Sequence, residues 1–293
     1  VLKHGQVLPQ FCFTSEMWDL ESKNVLDALW DNYPEWIGQT LIVRSSGQAE
    51  DSLVESLAVT LPSLTDFVEL LKSCPIMSSI FYSAYLIKIN GQKKSITSSC
   101  DGKILEYGAI KNNSILQVKG KRINISDLLN NDKDIVDSYN DGSFVTIYLS
   151  PKDYHRVHMP SDGKLNKTIH IPGRLFSVAT HAVKYIKNLY GRNERLVCSF
   201  TNDNLKFSVI FVGAINVSSI EVMWKGEVSP PLPKKTITTS YKKKKIIIKK
   251  GDELGMFKSG STVILLFDKS IKLLPSIKRG MNIRVGNVIG HTS

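Results

Sequence analysis

Apolar runs long enough to cross a bilayer are missing from this 293-residue chain, since none approaches the ~18–20 residues a spanning helix needs. The longest apolar stretches, around Phe207–Val217 and Thr262–Phe267, read instead as buried strands. The amino end, Val1-Leu2-Lys3-His4, lacks the charged-then-apolar order of a cleavable signal. Cysteine is scarce. Cys12, Cys74, Cys100 and Cys198 have no CxxC or Cys/His ligand spacing, which fits reduced thiols and gives no support to a metal site. The GxxxxGK[ST] order of a phosphate-binding loop and the GxSxG nucleophile elbow are absent too. What is there is ordinary globular material. A hydrophobic content of 42% with 22% charged residues excludes a disordered chain, and the length allows one or two domains with a sizeable core.

Charge of one sign is in excess, at +11 net. The densest run is Lys242-Lys243-Lys244-Lys245, followed by Ile246–Ile248 and Lys249-Lys250. It reads either as a solvated loop entering a strand or as a patch attracted to acidic lipid headgroups. Nucleic acid is disfavoured as a partner, because no aromatic-interleaved basic motif or Gly-rich recognition loop accompanies the charge.

Two textures divide the chain. Residues 1–85 look helical: Ser15 can cap a segment carrying Trp18, Val25, Leu26, Leu29 and Trp30, and a second stretch groups Leu64, Phe67, Val68 and Leu71. From residue 86 onward short strands dominate. Ser143–Ser150 and Lys206–Val212 alternate with period two, and Val217–Val228, Lys245–Lys250 and Thr262–Phe267 continue the series. Turns are marked by Asn140-Asp141-Gly142, Asp162-Gly163, Pro230-Pro231 and Lys250-Gly251-Asp252. One helix is expected between Ser177 and Tyr190. The fold class is therefore α+β and β-rich, with predominantly antiparallel sheets, a few helices and a smaller, more helical amino-terminal segment.

Three segments carry reactive side chains. Ser150-Pro-Lys-Asp-Tyr-His-Arg-Val-His-Met-Pro160 follows a strand and sets His155 and His158 three apart around Arg156. Imidazoles titrate near ~6.5 and move protons at neutral pH, although a histidine without a task is the commoner case. Lys250-Gly-Asp-Glu-Leu-Gly-Met-Phe-Lys-Ser-Gly-Ser-Thr-Val263 contains Gly251, Gly255 and Gly260, positions suited to positive φ or close approach to another strand. Ser99-Cys100-Asp101-Gly102 places an acid in a turn, most often only a turn former.

Together, from about Ser98 to Gly290, these elements resemble the phosphatidylserine decarboxylase family. The resemblance takes in Asp101-Gly102-Lys103-Ile104, Ile115–Gly120, Gly142–Val145 and Tyr148–Pro151. It continues through Tyr154–Pro160, Ile171-Pro172-Gly173, Asn193-Glu194-Arg195, Val212-Gly213-Ala214 and Gly260-Ser261-Thr262-Val263 in family order.

The resemblance implies a chain that cuts itself between Gly260 and Ser261. Ser261 attacks the Gly260 carbonyl, and elimination and hydrolysis leave a pyruvoyl group as a self-generated covalent cofactor. His158 would be the base, Asp101 would orient and stabilise its ring, and His155 would move protons during decarboxylation. The large chain 1–260 and small chain 261–293 would stay together through the strand Thr262–Phe267. Phosphatidylserine would form a Schiff base with the pyruvoyl group, lose carbon dioxide and leave as phosphatidylethanolamine. Such an enzyme is expected to be peripheral, at the cytoplasmic face of an anionic membrane, and is compatible with a homodimer. A homologue that binds lipid surfaces without maturing is the alternative.

Residues 41–58, Leu41-Ile-Val-Arg-Ser-Ser-Gly-Gln-Ala-Glu-Asp-Ser through Ala58, resemble something else, the nucleotide-binding motif of phosphoenolpyruvate synthase and pyruvate phosphate dikinase. A phosphotransferase using Arg44, Glu50 and Asp51 would follow. The motif's expected glycine is Val59 here, and ~85 residues fall short of the ~100–150 typical of a domain, so a truncated or fused fragment is the favoured reading.

Overall fold

The computed structural model describes residues 92, 94–118, 120–151, 153–202, 205–215, 219–230, 233–257 and 261–292, together with the strands at 10–14, 40–45, 56–60 and 81–86. The chain separates into two compact units, Val1–Lys88 and Ile89–Ser293. In the first unit β1 (Gln10–Thr14), β2 (Thr40–Ser45), β3 (Ser56–Thr60) and β4 (Phe81–Leu86) form an antiparallel sheet in the order β1-β4-β2-β3. The helical segments expected around Ser15–Trp30 and Leu64–Leu71 lie outside the described residues. The described residues of this unit are its four strands. Leu41–Ser45 and Ser56–Ala58, the ends of the nucleotide-site resemblance, are the paired strands β2 and β3.

The second unit opens with β5 (Ser95–Thr97), β6 (Gly102–Ala109) and the hairpin β7 (Ser114–Val118) and β8 (Lys121–Asn124). Two short helices, Ile125–Leu128 and Lys133–Asp137, follow. They start where the Asn124 and Asp132 side chains accept the N–H groups of Ser126 and Ile135. Next come β9 (Ser143–Leu149), β10 (Arg156–His158), β11 (Gly163–Ile171), the short helices Thr180–Tyr185 and Leu189–Arg192, β12 (Arg195–Asn202) and β13 (Leu205–Val212). The rest is strand: β14 (Ile220–Val222), β15 (Gly226–Ser229), β16 (Ile237–Ser240), β17 (Ile247–Ile248) and β18 (Glu253–Phe257). The series ends with β19 (Ser261–Phe267), β20 (Ile271–Leu273), β21 (Asn282–Ile283) and β22 (Val288–Thr292).

A nine-stranded sheet in the order β16-β11-β12-β13-β19-β9-β6-β21, with β17 also on β11, is the frame of this unit. Smaller sheets run β10-β18-β14-β15 and β20-β22-β5. Every strand pairing among the described residues is antiparallel, as the hairpin-rich sequence predicts. Central position explains composition. Both faces of β19 are covered and all seven of its residues are buried, so its sequence is nearly continuous apolar rather than alternating. Its Phe267 meets Phe207 of β13, which stacks on Phe200 of β12 at 5.2 Å.

Where the sequence suggested single elements, the structure divides two of them. Val217–Val228 holds β14 and β15 joined by a turn at Met223–Lys225. The helix expected over Ser177–Tyr190 is two short ones. Gln117 intervenes: its Nε2 donates to the Val183 and Ile186 carbonyls at 2.8 and 2.7 Å, and its Oε1 accepts Leu189 N–H at 2.7 Å.

Candidate active site

Register brings two of the expected residues, Asp101 and Ser261, to one end of three neighbouring strands. Ser261 opens β19 opposite Leu149 at the end of β9, and Lys103 and Thr262 both pair with Tyr148, so Asp101 and Ser261 flank the end of β9. The chain leaves β9 through Ser150, whose N–H and hydroxyl donate to Asp153 Oδ2 at 2.7 and 2.8 Å, and enters β10 with its two histidines. Ser261 is fully buried, and its Oγ has no hydrogen-bond partner among the described residues. A buried hydroxyl left unbonded costs free energy and in a native fold calls for an explanation. Gly260 lies outside the described residues.

His158 is 1% exposed. Its backbone N–H donates to Ser99 O at 2.7 Å, its Nδ1 lies 2.7 Å from Gly251 O, and its Nε2 lies 3.0 Å from the Tyr154 hydroxyl. A carbonyl oxygen only accepts, so Nδ1 carries the proton and Nε2 holds a lone pair that accepts from Tyr154. Tyr154 also stacks on the imidazole, with centroids 5.7 Å apart. Burial drives the imidazole pKa down to about 4; the Gly251 carbonyl opposes the shift and the Arg156 charge adds to it. The ring is therefore a neutral base of fixed tautomer.

Gly251 can present that carbonyl because the turn needs φ +86° there, and Gly255 lets β18 run against β14, where a Cβ would lie 2.2 Å from the Glu221 carbonyl oxygen. Arg156 Nη1 bonds both oxygens of Glu253 at 2.6 and 2.7 Å and ties β10 to β18. His155 is half-buried, and its carbonyl accepts Phe257 N–H at 3.1 Å.

Asp101 is placed otherwise than the triad expectation assigns. Its carboxylate does not bond His158: Oδ2 accepts Arg284 Nη1 at 2.7 Å and Oδ1 accepts Val285 N–H at 2.8 Å. Burial raises its pKa more than those two donors lower it, and the Asp153 charge adds to the rise. Burial and the charges of Asp101 and Asp153 also push the neighbouring Cys100 thiol well up, so it is inert at neutral pH. Sequence reasoning missed Tyr154, Gly251 and Arg284 as contributors. Tyr154 stood inside the histidine block and was open to discovery; a main-chain carbonyl and an arginine 183 residues from its partner give no local signal.

Residues 261–292 supply β19 between β13 and β9, β21 on β6, β22 between β20 and β5, and the Arg284–Val285 grip on Asp101. Among the described residues no helix is long and apolar enough to cross a membrane.

Comparison with known proteins places this geometry. The profile of the phosphatidylserine decarboxylase family matches residues 85–291. The chain is 43% identical over 201 residues to the phosphatidylserine decarboxylase proenzyme of Alcanivorax borkumensis, covering 68% of this chain and 69% of that protein. It is 42% identical over 202 residues to the proenzyme of Haemophilus ducreyi, covering 68% of each, and 43% identical over 197 residues to that of Methylococcus capsulatus, covering 67% and 68%. The match spans both histidines, Asp101, Ser261 and the strands that carry them, and the chain is a decarboxylase that belongs to the phosphatidylserine decarboxylase family.

Proposed function

We propose that this protein is made as a precursor, cuts itself between Gly260 and Ser261, and then decarboxylates phosphatidylserine to phosphatidylethanolamine at a membrane surface. The observation that carries the reading is the buried Ser261 Oγ, unbonded among the described residues, at the strand end from which the His155–His158 segment departs. A serine hydroxyl becomes a nucleophile when a base takes its proton, and a neutral imidazole with its lone pair on Nε2 is such a base. The Ser261 hydroxyl adds to the Gly260 carbonyl, and His158 takes its proton and returns one to the Ser261 nitrogen as the amide C–N bond breaks and the ester forms. Loss of the Ser261 Cα proton then expels the Gly260 carboxylate, and water replaces the nitrogen, which leaves as ammonia. The Gly251 carbonyl does for the imidazole what a carboxylate does in Ser-His-Asp triads, holding the proton on Nδ1. Asp101, fixed by Arg284 and Val285, holds the carboxyl-terminal segment against the start of β6.

Full burial of Ser261 keeps bulk water from a keto group formed there. The pyruvoyl group, when formed, supplies an electron sink for the pair released as carbon dioxide leaves. This chain's part is to hold the headgroup, exclude water and move protons, with His155 as the acid–base group for the decarboxylation step.

Denaturing electrophoresis with mass spectrometry tests the proposal. The expected result is a small fragment starting at position 261, blocked to Edman chemistry and lighter than its serine-initiated form by one ammonia. Intact full-length chain after prolonged incubation of folded protein, with no keto end-group, would overturn it.

A further inference from the structure

We propose that the lysine-rich segment at residues 242–249 is a docking element for an anionic lipid bilayer, which presents that bilayer beside the His158 turn. The inference rests on the reading of the substrate as a membrane lipid. Lys242, Lys243, Lys244 and Lys245 are all exposed, and among the described residues none of the four makes an ion pair. Lys164 Nζ reaches the Lys242 carbonyl at 3.4 Å, adding a fifth cation to the same place. The nearby acids are engaged elsewhere: Asp162 takes Lys249 Nζ at 3.3 Å and Lys250 N–H at 2.8 Å, and Asp252 takes Lys249 N–H at 3.1 Å. The four lysines therefore carry their charge without an ion-pair partner among the described residues, and Asp134 is the acid that lines one cavity with Lys242.

It is also held in place. Tyr241 N–H donates to Asn166 O at 2.7 Å, Leu165 N–H to Ile246 O at 2.9 Å, and Ile247–Ile248 pair with Gly163–Lys164 of β11. The Lys244 ammonium lies 5.9 Å from the Tyr241 ring centroid. A cationic turn tied to the sheet on both sides meets a surface with less ordering entropy to lose than a free tail would.

Two features favour a bilayer over another polyanion. Ile247 is 60% exposed between Lys245 and Lys249, and an apolar side chain among lysines suits a headgroup–acyl boundary, whereas a phosphodiester backbone has no use for it. Position is the second. Only Lys250 separates the run from Gly251, whose carbonyl holds His158 Nδ1, so a docked bilayer brings its headgroups to the histidine end of the sheet.

Sedimentation of the full chain with vesicles tests this, using phosphatidylglycerol–phosphatidylcholine vesicles against phosphatidylcholine alone at low and high salt. Wild type is expected to bind the anionic vesicles, to ignore the neutral ones and to be released by salt. Replacing all four of Lys242–Lys245 by serine should weaken binding on the order of 600-fold, from about fivefold per lysine near a charged surface. Processing and turnover of a soluble short-chain phosphatidylserine should stay unchanged. If the quadruple variant loses soluble-substrate turnover, the single reversals Lys243→Glu and Lys245→Glu, each a change of two charges expected to cost about 25-fold, carry the test. Ile247→Ser should weaken binding severalfold with no change in salt slope. Retained vesicle binding by the lysine variants, or RNA displacing the vesicles with Ile247→Ser having no effect, overturns the docking proposal. Vesicle binding without soluble-substrate turnover sinks the decarboxylation reading and leaves docking standing.

Discussion

Lowering the pH of a freshly translated precursor from ~7.5 to ~5.5 is expected to leave its self-processing rate within twofold, because His158 stays neutral over that range. The base must be unprotonated to accept the Ser261 proton. An ordinary imidazole, with pKa near ~6.5, would be only ~10% neutral at pH ~5.5 and would process about tenfold more slowly there. Burial lowers the pKa of His158 to about 4, so ~97% of the molecules retain the base at pH ~5.5. The rate should fall only as the pH approaches that value, by about tenfold for each further unit below it. Pulse-labelled precursor, chased in buffers of graded pH and resolved by denaturing electrophoresis, gives the profile directly. A tenfold loss between pH ~7.5 and ~5.5 would refute the reasoning, since it would mean that the base titrates as a solvated imidazole does.

The same burial predicts acid sensitivity of the fold. The unfolded chain takes a proton on His158 below pH ~6.5 that the native state refuses until about 4, so stability is complete above ~6.5 and declines by about 3 kcal/mol as pH falls through that window; denaturant melts at graded pH, compared with a His158→Gln variant, would measure it. Arg284→Ala leaves the Asp101 carboxylate with Val285 N–H alone and is expected to cost about 1–2 kcal/mol, moderated by the solvent around the arginine, in urea unfolding of a Ser261→Ala precursor. Gly255→Ala puts a methyl group 2.2 Å from the Glu221 carbonyl oxygen, so β18 must move off β14, and about 3 kcal/mol of destabilisation should appear in the same assay. His158→Ala is expected to slow processing by ~10²–10⁴ while the precursor keeps its fold, with band intensities over time as the readout.

Strands whose burial pattern is set by local sequence were legible. The run Thr262–Phe267 and the alternations in Ser143–Ser150 and Lys206–Val212 became β19, β9 and β13 within a residue or so at each end. The Asn140-Asp141-Gly142 turn was legible for a physical reason as well, since Asp141 sits at φ +57°, a conformation acidic and amide side chains tolerate. Failures came where distant groups decide. Gln117 breaks the helix after Tyr185 from across the fold, and the apolar texture of Val217–Val228 hid a turn at Met223–Lys225. In the site, the histidines, Ser261 and Asp101 were open to discovery as residue types. Which atom holds which was not: the proton on Nδ1 is fixed by a backbone oxygen, and Asp101 is gripped by a segment far along the chain.

The carboxyl-terminal segment threads the middle and one edge of the nine-stranded sheet and supplies two strands of a three-stranded one, with no residue of β19 reaching solvent. As one chain, an unfolded molecule can find that slot again because both halves are tethered. Were the chain cut before Ser261 as proposed, loss of structure would release two polypeptides that must meet by diffusion, and a bared central strand of this composition would invite aggregation first. A mature molecule would thus have a single lifetime, ended by its first global opening, and its durability would be governed by an unfolding rate rather than by an equilibrium.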